Sequence, residues 1–327
     1  MRFNQLGRRE FITLLVGAAV RPLAARAQQT AAELPRICSI HTARNENWES
    51  FFRGLRNAGY VDGQNVRIDA RFHGAVLERL DEVAREFVAL KCSVIFASNP
   101  YAIQVVTKAT KTIPIIGVDL ESDPVASGLV NSVARPGGNF TGFFLDIPEL
   151  GGKLIELLTE AVPAVSRLAV LWDATIGEVQ FHATESARRP AGILLQSLPI
   201  RREQDINESI QHAVRDQANG LVVLSSPLIY EQRSQIGSVA LNARLPTISL
   251  FNTFPKEGGL MAYGPDFPAI YTRAADYVAR VLSGANPGEL PIQRPTKFEL
   301  AINLKTARTL GLTVPPTLLG RADEVIE

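Results

Sequence analysis

Polar side chains follow three apolar runs in the first part of the chain, and their types suit the charged groups of an amino acid. His41 and Thr42 follow the first run, Ser98 and Asn99 the second, and Asp119 the third. Hydroxyl and amide groups hydrogen-bond a carboxylate, whereas an acidic side chain suits an ammonium group. These residues predict a site for a small polar solute, most simply an amino acid or a related zwitterion or organic acid.

A second set of polar and aromatic residues occupies comparable places in the rest of the chain. It comprises Asp173, Ser225, Ser226 and Asn252 after apolar runs, and Tyr263 and Asp266 at a glycine-bounded segment. Ligands of parallel α/β sheets bind beyond the carboxyl ends of the strands. Both sets are therefore expected to face a single cleft.

Each candidate also has a plainer structural interpretation. The pairs Ser98–Asn99 and Ser225–Ser226 precede predicted helices, where such residues cap the N-terminus. His41 suits packing in a loop, and Asp123, which precedes Pro124, suits a turn or a cap rather than a ligand contact. Tyr263 and Asp266, at the glycine-bounded segment, suit a role in stabilising a hinge.

The chain lacks the motifs of common catalytic, cofactor and metal sites. No G-x-G-x-x-G opens a helix after the first strand, no G-x-S-x-G elbow is present, and the lysine of Gly151-Gly152-Lys153 is followed by leucine rather than serine or threonine. Cysteine and histidine spacings typical of metal sites are also absent. We therefore expect a binding protein rather than an enzyme, with no cofactor and no metal.

The elements that must position these residues alternate regularly. Continuous apolar runs separated by amphipathic helical patterns predict parallel sheets covered on both faces. The rhythm breaks near residues 140, 263 and 292. We expect an α/β fold of two Rossmann-like parallel-sheet lobes joined by a three-strand hinge. Lobe one would comprise 36–141 plus 264–291, and lobe two 142–263 plus 292–327.

The N-terminus has the organisation of an export signal. Arg8 and Arg9 precede the ten-residue apolar run 11–20, which is too short to span a bilayer, and Ala25-Arg26-Ala27 resembles a cleavage site. We expect residues 1–27 to be a signal peptide of the twin-arginine type, read by an export receptor and cleaved after Ala27. An ordinary Sec signal is the alternative. Either route predicts a periplasmic protein.

Charge and cysteine content complete the expectations. The formal net charge is +1, and most of the positive excess lies in the predicted signal, so nothing indicates a nucleic-acid partner. Cys38 and Cys92 each lie in or beside an apolar run, where a cysteine usually behaves as a small buried hydrophobe. Two buried free thiols are therefore favoured over a disulfide, although an exported protein permits one.

Several sequence blocks carry a resemblance to a known family. They are GYVDGQNVRI (59–68), DPVASGLV (123–130), RPGGNFTG (135–142), GGLMAYGPD (258–266) and the C-terminal segment 295–327. Together they closely resemble the substrate-binding proteins of ABC importers, in the family that includes binders of tryptophan and other aromatic amino acids. The loops HTARNEN, SNPYA and WDATIGE depart from the usual family pattern, so the resemblance does not identify the ligand of this chain.

The resemblance implies a type I periplasmic-binding fold and delivery of a small-molecule ligand to an ABC permease and its ATPase. A monomer that captures its ligand by hinge closure is expected. A ligand-sensing periplasmic module for a chemoreceptor or a sensor kinase is the alternative. A sugar-responsive repressor shares this fold, but an export signal stands where its DNA-binding segment would be.

Overall fold

A computed structural model describes residues 33–327, apart from 75, 76, 78, 146 and 188–191. The predicted signal peptide, with its arginine pair and its cleavage site, lies outside the described residues. No helix among the residues described is long and apolar enough to cross a membrane.

The described residues form twelve strands in two sheets. The strands are β1 Arg36–His41, β2 Arg67–Phe72, β3 Val94–Ser98, β4 Ile115–Asp119, β5 Phe140–Phe144, β6 Arg167–Asp173, β7 Leu194–Ile200, β8 Gly220–Val223, β9 Thr247–Ser249, β10 Met261–Pro265, β11 Phe298–Asn303 and β12 Glu324–Ile326. The first sheet has the order β2-β1-β3-β4-β5 and the second β12-β11-β10-β9-β8-β6-β7. All neighbouring strands run parallel except the antiparallel pair β10 and β11.

Helices cover the sheets and connect their strands. They are α1 Glu46–Asn57, α2 Leu80–Ala89, α3 Pro100–Ala109, α4 Ile147–Ala161, α5 Val179–Ser186, α6 Asp205–Arg215, α7 Pro227–Glu231, α8 Arg233–Asn242, α9 Phe267–Leu282, α10 Leu304–Leu310 and α11 Pro316–Leu319. Strands β3, β4 and β5 are buried along their whole length, as parallel strands covered on both faces must be. Two mostly parallel sheets within an α/β layer arrangement confirm the predicted fold class.

Helix α9 returns to the first sheet although it follows a strand of the second. It packs against α1 and against β3, β4 and β5. A Cβ atom added at Gly54 of α1 would lie 2.7 Å from the Ala275 Cβ atom of α9, so the glycine allows the two helices to approach closely. The sequence-distant helix therefore completes the layer over the first sheet.

The chain passes between the layers of the two sheets at three places. It leaves the first sheet after β5, returns where β10 runs directly into α9, and leaves again after residue 290. Phe143 of β5 forms an isolated bridge with Gln293, which brings two of these passages side by side. Gly264 of β10 lies against the Leu250 carbonyl oxygen, and an added Cβ atom would stand 1.7 Å from that oxygen. Only glycine fits this passage.

The two cysteines form a disulfide, so the expectation of free thiols was wrong. Cys38 lies in β1, Cys92 lies two residues before the start of β3, and their Cα atoms are 5.9 Å apart. Strands β1 and β3 are neighbours in the sheet, which brings together two residues separated by 54 positions. Apolar surroundings alone do not reveal that adjacency.

Candidate functional site

A cavity of about 70 Å³ lies where the carboxyl ends of the first sheet meet the second. Its first wall is formed by residues that end or follow β1, β3 and β4, and its second wall by residues around α7 and the end of β9. The carboxyl edge of a parallel sheet is the usual ligand site of such folds. Among the candidates from the sequence, His41, Thr42, Ser98, Asn99 and Ser226 line this cavity.

Asn99 organises the first wall of the cavity. Its Oδ1 atom accepts a hydrogen bond from the Ala102 amide at 3.0 Å and caps α3. Its Nδ2 group donates to Thr42 Oγ1 and to His73 Nε2, each at 3.1 Å. The residue has φ 102, a conformation that is unusual outside glycine and that persists only where the surroundings enforce it. Asn99 therefore caps a helix and lines the cavity at once.

His41 is a neutral imidazole beneath the same wall. It is 2 % exposed, and its ring lies 5.3–5.8 Å from the rings of Phe51, Phe72 and Phe96. Burial, followed by the nearby His73, lowers the pKa of His41 to about 3. The imidazole consequently carries no charge near neutral pH and brings no cation to the cavity.

Aromatic rings form much of the opposite side of the cavity. Tyr230 and Phe251 lie 5.0 Å apart in an edge-to-face arrangement, and Phe267 lies 5.7 Å from Phe251. Tyr271 of α9 pairs its hydroxyl with Ser98 Oγ at 2.6 Å. Burial raises the pKa of Tyr271 above its usual range, so the phenol stays protonated. All four side chains line the cavity, and sequence reasoning named none of them.

Glu121 supplies the acidic group of the cavity, and sequence reasoning missed it as well. One carboxyl oxygen accepts a hydrogen bond from the Ser225 hydroxyl, and the other accepts one from the Leu120 amide at 3.1 Å. Burial, assisted by the neighbouring Asp119, raises the pKa of Glu121 to about 8. No periodic signal in the sequence marks Glu121, because the chain turns directly after β4 and residues 120–122 are not extended.

Asp119 turns into its own loop rather than into the cavity. Its Oδ1 atom accepts from the amides of Glu121 and Ser122 at 2.9 and 3.0 Å, and its Oδ2 atom accepts from the Ser122 hydroxyl at 2.6 Å. Burial raises its pKa, against the effect of these bonds. This turn is what directs the chain so that Glu121 lines the cavity.

The other candidates lie around the cavity but not in its wall. Asp173 accepts bonds from the Thr175 amide and hydroxyl at 2.9 and 2.6 Å. Asn252 donates weakly to the Pro265 carbonyl at 3.4 Å, Tyr263 stacks on Phe298, and Asp266 caps α9 through the Ala269 amide at 3.0 Å. Ser225 reaches the site indirectly, through Glu121.

A neighbouring cavity of about 320 Å³ shares Thr42 and includes Asp173. Its rim carries exposed charged residues such as Arg201 and Arg202. Within the described part of the chain, no group of three or more histidine, cysteine or acidic side chains could hold a metal ion.

Comparison with known proteins identifies the family. The family described as "ABC transporter substrate binding protein" matches residues 37–326. A protein named "Tyrosine-binding protein" from Clostridioides difficile is 26% identical over 276 residues, which cover 83% of this chain and 78% of that protein.

Two solved structures share the fold at low identity. One is a conserved domain protein from Vibrio cholerae, with a TM-score of 0.80, 24% identity, and coverage of 90% of this chain and 100% of that chain. The other is an ABC domain from Streptococcus pneumoniae in complex with L-Trp, with a TM-score of 0.81, 21% identity and the same coverage. The family match, over residues 37–326, spans nearly all of the described chain. The protein therefore belongs to the family of ABC transporter substrate-binding proteins.

Proposed function

We propose that the protein captures a small amino-acid-like solute in the cavity between its two sheets and delivers it to an ABC permease powered by an ATPase. The carrying observation is the convergence of Thr42, Ser98, Asn99, Ser226 and Glu121 on one cavity between the two sheets. Neutral donors suit a carboxylate, and an acid suits an amine. A relative named for tyrosine binding and a fold neighbour solved with L-Trp support this solute class.

Capture by closure follows from hydrogen bonds that join the two sheets across the cleft. Ser225 after β8 donates to Glu121 after β4, and Tyr101 of α3 pairs its hydroxyl with that of Thr175 after β6. These bonds require the closed arrangement of the sheets. In the proposed motion, lobe one (36–141 plus 264–291) and lobe two (142–263 plus 292–327) separate about the three chain passages to admit the solute.

Family membership implies an exported protein, because these binding proteins work outside the cytoplasm. We further propose that the protein is exported by the twin-arginine route, that its signal peptide is cleaved after Ala27, and that the mature protein resides in the periplasm. N-terminal sequencing of the protein recovered from the periplasmic fraction tests them, with alanine 27 expected as the last residue removed.

A ligand screen tests the proposed function. Thermal-shift and calorimetric titrations of the mature chain with L-amino acids, their amines and small organic acids should reveal saturable one-to-one binding. The double variant Ser98→Ala, Asn99→Ala should weaken binding of the solute found. Asp266→Ala is a matched control, because it also removes a helix cap but lies outside the cavity wall. If no solute of these classes binds, or if both variants bind like the wild type, the proposal is wrong.

A further inference from the structure

The side chains that line the cavity include an acid but no basic residue that carries a positive charge. Among the described residues that line it, Glu121 is the sole carboxylic acid, and neither lysine nor arginine is present. His41 is neutral, as its depressed pKa shows. Arg233 lies near the second wall but is engaged elsewhere, over the Tyr230 ring at 4.5 Å and with the Tyr230 carbonyl at 2.7 Å. A bound anion would therefore meet hydrogen-bond donors but no positive side chain.

The Glu121 carboxyl group is placed to receive a cation. It is 9 % exposed, and each of its oxygens accepts one hydrogen bond from the protein. A carboxylate oxygen has room for a second bond. A buried carboxylate without a positive partner is unfavourable, and the group instead takes up a proton, in agreement with its raised pKa. A positively charged ligand group would remove that penalty.

The remaining walls favour an organic cation over a hydrated metal ion. Tyr230, Phe251 and Phe267 present aromatic surface to the cavity, and such surface attracts alkylammonium groups while excluding water. The polar groups opposite, Thr42 and Ser98, are neutral. The cavity thus combines a single acid with apolar and neutral surroundings.

We propose that Glu121 is the receptor for the positively charged group of the bound solute, so that the protein selects solutes carrying an amine over acids that lack one. This inference rests on the proposed function, that is, on capture of a small solute in this cavity. Because the same carboxyl group accepts the Ser225 hydroxyl from the second sheet, amine binding and closure involve one side chain.

Matched ligands separate the amine from the rest of the molecule. The probes are L-tyrosine, tyramine, which lacks the carboxylate, and desaminotyrosine, which lacks the amine, with the equivalent set built on leucine. The wild type should bind the amine-bearing members at least about tenfold more tightly than the desamino acids, since a hydrogen bond to a charged group contributes about 1.5–3 kcal/mol. Equal affinity for a desamino acid and its amino acid would overturn the inference.

Two variants assign the effect to the side chain. Glu121→Gln keeps the shape and an acceptor for Ser225, and it should weaken binding of the amine-bearing probes about 10- to 100-fold without weakening binding of the desamino acids. Asp123→Asn removes the same charge two residues away, where the carboxylate only caps its own turn, and should change nothing. An equal loss for all probes in Glu121→Gln would make the residue structural and refute its receptor role.

The outcomes also separate this inference from the proposed function. If probes bind without preference for the amine, solute capture stands and the role of Glu121 is wrong. If no probe in either set binds the wild type, the amino-acid class is wrong and the inference falls with it. The wild-type comparison needs no variant, so a folding defect in Glu121→Gln does not protect the inference.

Discussion

Closure of the empty protein should depend on pH through Glu121. In the closed arrangement, burial and the nearby Asp119 raise the pKa of this carboxyl group to about 8. In an open arrangement water reaches the group and the Ser225 bond is lost, so the pKa falls toward the ordinary glutamate value of about 4.3, although Asp119 stays beside it. Closing without a ligand therefore takes up a proton between these two values.

This proton uptake sets the direction and the size of the pH effect on the closed-to-open ratio. The closed form gains most at acidic pH, below the open-state pKa, and loses that gain as pH rises through about 8. Because each pH unit between the two pKa values changes the closed-to-open ratio nearly tenfold, about two orders of magnitude separate about pH 5 from about pH 8. Asp119 has a raised pKa too, chiefly through burial, while its hydrogen bonds lie within its own turn and oppose that rise.

The titratable groups that face Glu121 from other elements do not produce a pH dependence of closure in the same range. Tyr271 of α9 and Tyr101 of α3 have pKa values raised by burial, to about 12 for Tyr101. Tyr230 of α7 has a raised pKa as well, and the pKa of His41 is far below this range. None of these side chains titrates between about pH 5 and about pH 8. The Ser225 hydroxyl carries no charge.

Small-angle scattering of the ligand-free mature protein measures the effect. The radius of gyration should fall as the pH is lowered from about 8 to about 5 in the wild type, and should stay constant in Glu121→Gln. Asp123→Asn should follow the wild type. A compaction of the same size in Glu121→Gln, or compaction on raising the pH, would refute the reasoning.

Three further predictions concern stability and protonation. Replacing both Cys38 and Cys92 by serine should lower the free energy of unfolding by about 4 kcal/mol in urea titrations, because the disulfide closes a long loop; a change near zero would contradict this. Gly264→Ala should destabilise the protein by at least about 3 kcal/mol or prevent folding, since its Cβ atom would meet the Leu250 carbonyl, whereas unchanged thermal stability would show that the passage can relax. The ring resonances of His41 should not shift between about pH 5 and about pH 8 in NMR titrations; a midpoint in that range would contradict its buried, neutral state.

The order of strands and helices could be predicted from the sequence because apolar runs and helical spacing are local signals. Helix α9, Phe267–Leu282, buries one face and so carries such a helical spacing of apolar residues. Strand β7 carries a weaker signal, because its solvent-facing positions interrupt the apolar run. The disulfide was missed. It depends on β1 and β3 being neighbours, and the linear pattern does not contain the strand order.

The cavity could be located only roughly, because the turn after each strand decides which side chain reaches it. Directly after β4, the expected residue Asp119 bonds to the backbone of its own loop, and Glu121 takes the place in the cavity wall. The aromatic residues were missed because they come from α7, α9 and the end of β9, which meet only through the packing of the two sheets.

The choice of an acid rather than an amide at position 121 affects the empty protein as much as the loaded one. Near neutral pH Glu121 opposes closure, because the cavity offers its carboxylate no positive partner among the described lining residues and the group must first take up a proton. A solute amine supplies that partner, so ligand binding removes the opposition to closure. A glutamine would remove the opposition without any ligand. We therefore expect Glu121→Gln to be more compact than the wild type when both are empty at about pH 9, above the closed-state pKa, although it binds amines less well. Equal dimensions of the two empty proteins at that pH would show that the carboxylate does not hold the cleft open.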